Sequence, residues 1–345
     1  MAKIGESELK NQIKSNEFFP VYLIYGEESY LKEFYVKKLK EKLVEPSFAD
    51  FNFHQYENKK VELSEILTDA DMMPVMSEHS FLLIHDYPLN KSKNDIELLK
   101  SYLKDYNESA VIVFWYDTVE VNPKQDSKWN SILSAVDKVG VCVNMQKRTE
   151  SDLVKIIVSK AKSYKTTISS NDARYLIATV GDDIKTILNE LEKLSSFAQN
   201  GVITRDIIDD LAVKSLQAQV FDLSKYILAG NSDEAYNILR VLAAQKQEAI
   251  PVLAIISSCY IDMYRVKCAK ASGVGENDVA KYFNYKGKEW LLKKAASNSK
   301  NISVENLRKA LDLIAKTDEM LKSTPIDKYI LLEETVTKLI MLRNG

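Results

Sequence analysis

The chain has 345 residues, too long for one ordinary core and long enough for two or three domains. With 46% hydrophobic and 28% charged residues it has a soluble globular composition, and a net charge of −2 excludes a chain that is basic throughout, as a general nucleic-acid binder would be. Cys142, Cys259 and Cys268 have no paired spacing, which excludes a disulfide framework or a cysteine zinc site and fits a reducing compartment.

The apolar runs PVYLIY (20–25), DFNFHQY (50–56), SFLLIHDY (80–87), AVIVFWY (110–116) and KVGVCVNM (138–145) read as strands. Helical patterns separate them at Leu31–Val44, Val61–Ala70, Asn94–Tyr106 and Asp126–Val136. Continuous apolar strands alternating with helices predict a parallel sheet covered on both faces. After Met145 the strand signal stops. Thr149 with Asp152, and SSND (169–172), read as helix starts, and Asp182–Phe197 carries an apolar stripe of Ile184, Ile187, Leu188, Leu191 and Leu194. From Ala218 onward the expected helices are Val220–Leu228 with Gly230 as C-cap, Asp233–Gln245, Gln247–Ala271, Asp278–Tyr282, Trp290–Ala296, Val304–Leu321 and Tyr329–Leu342. The expected fold class is α/β plus all-α, in three domains: an α/β domain at 1–148, a small helical domain at 149–212 and a larger helical domain at 213–345.

The longest uncharged apolar run, Ala249–Ile261, falls short of the roughly 20 residues that span a bilayer. The opening AKIGESEL has no apolar signal region, so the expectation is a cytoplasmic chain with no membrane partner. Charge is uneven: residues 213–345 hold 20 Lys and Arg against 15 Asp and Glu, which makes this the part best suited to an anionic partner.

The stretch YGEESYLKEF (25–34) joins an apolar strand to a helix through one glycine, the place where nucleotide-binding folds cradle phosphate. A working loop reads GxxxxGK[ST], its glycines letting backbone N–H groups close on phosphate while the lysine and hydroxyl reach the outer phosphates and magnesium. Counted from Gly26, the second glycine is Leu31, the lysine is Lys32, and the hydroxyl is replaced by Glu33. Leucine obstructs close backbone approach, and Glu27, Glu28 and Glu33 repel a polyphosphate. Asp86 and Asp117, each at a strand end, lack the following acid of a metal-binding pair and read as strand-capping polar residues. His54, His79 and His85 show no HxxxH or HExxH spacing, and GxSxG is absent from the sequence. No catalytic residue, metal or cofactor is therefore expected.

Met72, Met73, Pro74, Val75 and Met76 put three of the eight methionines into one segment between a helix and a strand, where loops are normally polar. Such a loop either packs against its own domain, the reading the residues alone favour, or forms an adaptable protein-binding surface. The lysines of YFNYKGKEWLLKK (282–294), around Trp290, read as a solvated helix face, with phosphate-backbone contact as the alternative.

Taken in order, PVYLIYGEESYLKEFYVKKL, MMPVMSEHSFLLIHD, GDDIKTILNELEKLSSF and VFDLSKYILAGNSDEAYNILRVLAAQKQEAIPVLAIISSCYIDMYRV span nearly the whole chain. This ordered set resembles the delta subunit family of the bacterial DNA polymerase III clamp loader. The resemblance implies a degenerate AAA+ (P-loop NTPase-like) domain, a helical lid and a helical collar, with no ATP hydrolysis. It implies as partners the beta sliding clamp, the motor (gamma/tau) and delta-prime subunits through the collar, and primer-template DNA within the complex. It also implies that the segment Met73, Pro74, Val75 and Met76 inserts into a clamp pocket and holds the ring open; where the family commonly has a bulky Leu or Phe, this chain has Pro74, Val75 and Met76, and we place the anchor on Val75 and Met76 with Met73 in support. A delta-prime or motor subunit would carry Ser-Arg-Cys, but the three cysteines follow Val141, Ser258 and Lys267. The remaining alternatives are an ATPase with an unconventional loop, to be detected by ATP titration, and a stand-alone DNA-binding protein, to be detected by steeply salt-dependent DNA affinity.

Overall fold

Strand β1 (Val21–Tyr25) is buried at every position, as β-branched and aromatic residues on a doubly covered strand should be. It follows a helix α1 (Glu6–Ser15) and leads into α2 (Ser29–Leu43). The computed structural model describes residues 5–198, 200–275, 278–285 and 290–343, and the chain divides into two compact units, Met1–Arg148 and Thr149–Gly345.

In the first unit α3 (Ala49–Asn52), β2 (Phe53–Glu57), α4 (Leu63–Ala70), β3 (Ser80–His85), α5 (Lys93–Tyr102), β4 (Ala110–Trp115), α6 (Ser127–Val136) and β5 (Val141–Asn144) follow in order. The five strands form one parallel sheet in the order β2-β3-β4-β1-β5, so β1 lies between β4 and β5. Alternate strand residues face opposite ways. Val21, Leu23, Leu82, Ile84, Ile112 and Phe114 share a core with α4, α5 and α6. The intervening Tyr22, Ile24, Phe81, Leu83, Val111 and Val113 are equally buried, and α2 crosses β3 and β4.

The sequence expectation differs from the structure at two places in this unit. Helix α1 is absent from the expectation because only Leu9, Gln12 and Ile13 of its ten residues are buried, too sparse a pattern to show a period. The run DFNFHQY is a strand only from Phe53; Ala49–Asn52 is a helical turn, and the aromatic Phe51 that suggested a strand is exposed.

The second unit opens with α7 (Glu150–Ser163), β6 (Thr167–Ile168), α8 (Ser170–Val180), α9 (Ile184–Phe197), β7 (Val202–Ile203) and α10 (Arg205–Leu211). The side chains of Thr149, Ser169, Asp183 and Thr204 each accept an N–H of the first helical turn, satisfying groups that the helix itself leaves open. β6 and β7 pair in parallel, which corrects the expectation that strands end at Met145. Two-residue strands carry no periodicity to read.

Helices α11 (Leu216–Ala229), α12 (Ser232–Ala244), α13 (Ala249–Ala271), α14 (Val279–Tyr282), α15 (Trp290–Asn298), α16 (Val304–Ser323) and α17 (Lys328–Arg343) complete the unit. Gly230 ends α11 with φ +75°, the left-handed C-cap expected of it. α13 is long and apolar enough to cross a membrane by length and composition alone. Its residues Val252, Leu253, Ile256, Tyr260, Met263 and Val266 are buried among α11, α12, α15, α16 and α17, so the helix is the spine of this bundle's core.

Candidate functional site

In open parallel sheets, ligands bind outside the carboxyl ends of the strands where the strand order reverses. Here that place lies beyond β1 and β4. The β1–α2 turn passes through Gly26 at φ +117°, and a Cβ there would lie 2.4 Å from the Met145 carbonyl oxygen, so only glycine fits. Lys32 reaches into the same place and is 1% exposed. Its Nζ donates to the Gly26 carbonyl at 2.8 Å and the Tyr116 carbonyl at 2.7 Å, and lies 2.9 Å from Asp117 Oδ1. An ammonium has three donors, and these three partners match them. The Ser29 hydroxyl also donates to Asp117, at 2.6 Å; that bond and the Lys32 bond hold the Asp117 carboxyl below the ordinary carboxylate range. The Glu28 N–H donates to the Met145 carbonyl. Leu31 is buried at the second-glycine position, and Glu33 is exposed at the hydroxyl position. The lysine thus links the ends of β1 and β4 from within, in the space where a nucleotide-binding fold holds phosphate.

Asp86, at the end of β3, is buried with φ +52°. It accepts hydrogen bonds from the N–H groups of Asp117, Thr118 and Val119 and from the Thr118 hydroxyl. Burial pulls its pKa up, but the Thr118 hydroxyl and the three N–H groups outweigh that, and the net shift is downward. Asp86 therefore fastens the segment after β4, as a strand-capping residue does.

The methionine-rich segment between α4 and β3 projects into solvent. Met72, Met73, Val75 and Met76 are 56%, 76%, 44% and 78% exposed, and Pro74 is half-buried. This corrects the expectation, favoured on residue pattern alone, that the loop packs on its own domain. The loop is nevertheless held. Asn52, 1% exposed, donates from Nδ2 to the Val75 carbonyl at 2.8 Å and to Ser77 Oγ at 3.0 Å, and its Oδ1 accepts from the Val75 N–H at 2.7 Å. Asn107 Nδ2 donates to the carbonyls of Ala70 and Met72. Met76 has φ +52°, a left-handed conformation that costs a side-chain-bearing residue about 1–2 kcal/mol. An apolar surface exposed on a braced, strained backbone is suited to contact with another macromolecule.

Asn52 and Asn107 are the residues that sequence reading missed, because side-chain amides whose partners lie 23 and 35 or more residues away leave no pattern. Of the histidines, His79 meets Phe18 edge-on, and His85 stacks on Trp115 at 4.0 Å with its Nε2 3.3 Å from Asp86 Oδ2. In the lysine-rich segment, Lys294 Nζ sits 4.2 Å from the centre of the Phe221 ring and Trp290 packs edge-on against that ring; Lys286 and Lys288 lie outside the described residues.

The family model for the DNA polymerase III delta subunit matches residues 22–144, and the model for the C-terminal domain of that delta subunit matches 217–339. The chain belongs to the DNA polymerase III delta subunit family. A separate middle-domain model matches 149–210. The DNA polymerase III subunit delta of Bacillus subtilis (strain 168) is 26% identical over 332 residues, 95% of each chain. The probable DNA polymerase III subunit delta of Aquifex aeolicus (strain VF5) is 22% identical over 326 residues, 92% of this chain and 90% of that one. The solved structure of the Bacillus subtilis DNA clamp loader delta protein shares the fold, with a TM-score of 0.63, 24% identity, and coverage of 97% of this chain and 99% of that chain. As a member of the delta family, the chain is a clamp loader delta subunit, belonging to the DNA polymerase III holoenzyme that acts in DNA replication.

Proposed function

We propose that this delta-family chain binds the beta sliding clamp through Met73, Pro74, Val75 and Met76 and holds the ring open for loading on primed DNA, without hydrolysing ATP itself. The observation that carries the reading is the exposed apolar loop braced on Asn52 and Asn107. Truncating a buried apolar anchor at an interface costs about 2 kcal/mol or more at hot spots, so replacing two of them by charged residues removes most of the binding. The loop acts as a wedge: it opens the clamp by fitting the open state better than the closed one, a shift of population with no covalent step. Lys32 supports the absence of nucleotide chemistry, since ATP would have to displace a buried ammonium from three partners while facing Glu27 and Glu33.

In this reading the α/β domain, 1–148, carries the wedge, the helices of 149–212 form a lid, and those of 213–345 form a collar. The collar joins the motor (gamma/tau) and delta-prime subunits, whose ATP binding frees the wedge, and primer-template DNA is met within that assembly in the cytoplasm. The test is a pull-down on the cognate sliding clamp. Val75→Asp combined with Met76→Asp is expected to abolish capture while circular dichroism stays unchanged, because both side chains are exposed and carry none of the fold's core. Capture equal to wild type contradicts the assignment.

A further inference from the structure

We infer that Asn52 is the positioning residue of the clamp-binding loop: its amide holds the loop backbone in the binding conformation before the partner arrives. This rests on the clamp-binding reading of Met73–Met76 and adds a residue from a different element to it. Asn52 ends the helical turn α3, on the far side of β2 and α4 in sequence, yet its side chain pairs with both the N–H and the carbonyl of Val75 and with the Ser77 hydroxyl. One amide therefore makes the two-bond bridge that a neighbouring strand would make, at the centre of the apolar segment. Asn52 itself is 1% exposed, so its amide would be left unpaired away from water if these bonds broke. The next residue, Met76, is held at φ +52°, a conformation that a free loop would leave. Asn107 braces the start of the loop through Ala70 and Met72, so the apolar tip is pinned on both sides of Met73 and Pro74. Ordering a loop on binding reduces affinity, and a loop ordered beforehand avoids that cost.

Asn52→Ala removes both bonds to Val75 without touching any exposed apolar side chain. Clamp affinity, titrated with the cognate clamp and the full chain, is expected to fall about tenfold, as loss of pre-organisation by two hydrogen bonds implies. Asn52→Ser keeps a small polar group that cannot bridge both Val75 groups and introduces no charge, so a loss similar to that of alanine is expected, and it serves should the alanine variant fail to fold. A merely structural role is separated by a double-mutant cycle. In a Val75→Ala, Met76→Ala background, either Asn52 variant should cost much less than in wild type, because the loop it positions has lost its anchors. Wild-type affinity in both Asn52 variants overturns the inference, and so does an equal fold-loss in the two backgrounds. Failure of the wild-type chain to bind the clamp overturns the clamp-binding reading itself, an outcome no Asn52 variant can imitate.

Discussion

Lys32 and Met76 show at the residue scale what this fold has done with its inherited geometry. Lys32 keeps the position of a phosphate-binding lysine and directs its three donors to Gly26, Tyr116 and Asp117. Lys32→Met should lower stability by about 2 kcal/mol in urea denaturation, because it leaves two carbonyls unpaired and the partly exposed Asp117 without its cation. An unchanged midpoint would mean that the buried ammonium contributes nothing net. Met76 is expected to trade stability for binding. Asparagine tolerates the left-handed region better, so Met76→Asn should raise stability by about 0.5–1 kcal/mol while weakening clamp binding. If both quantities fall together, the residue is not held under strain. The departure from a phosphate-binding loop was legible at Leu31 and Glu33, read against the spacing that phosphate needs. The use to which Lys32 is now put was not legible, because Tyr116 and Asp117 lie more than eighty residues away and meet it only once β1 and β4 pair.

At the scale of elements, the legible parts are those whose pattern is continuous and apolar. β1, β3, β4 and β5 are short runs buried on both faces, and their expected positions agree with the structure to within a few residues. β6, β7 and α1 escaped notice because two-residue strands and a mostly polar helix leave no period. The exposure of Met72–Met76 could not be read from residue type, since methionine suits a core and a contact surface equally. Asp86 joins elements in a way that pH should report. Its carboxyl titrates below the ordinary range in the folded chain, so the folded state takes up its proton at lower pH than the unfolded state. Its contribution is therefore complete above the unfolded value of about 3.9 and is lost as pH falls through the lower folded value. Asp86→Asn, which keeps the tolerance for φ +52°, should be less stable than wild type at pH 7 and should lose less on acidification from about pH 5 to pH 3. Parallel urea-midpoint profiles for the two proteins would contradict this role for Asp86.

For the whole molecule, labour is divided between the two compact units in the proposed function. The first, Met1–Arg148, carries the proposed wedge; the second, Thr149–Gly345, holds the proposed lid and collar. On α17, Leu331, Leu332, Val336 and Leu339 are buried, while Ile330 and Met341 are 59% and 66% exposed. Ile330→Glu combined with Met341→Glu should reduce co-purification with the motor and delta-prime subunits and leave clamp capture intact, as a collar separate from the wedge requires; the reverse pattern would exchange the roles of the two units. The central claim is that this chain grips the clamp by itself and without nucleotide. Isothermal titration of the isolated full-length chain into its cognate sliding clamp tests it most directly. Saturable binding of equal affinity with and without ATP, and its loss in the Val75→Asp, Met76→Asp variant, is the predicted result. Binding that requires ATP, or wild-type binding that survives both substitutions, would contradict the account.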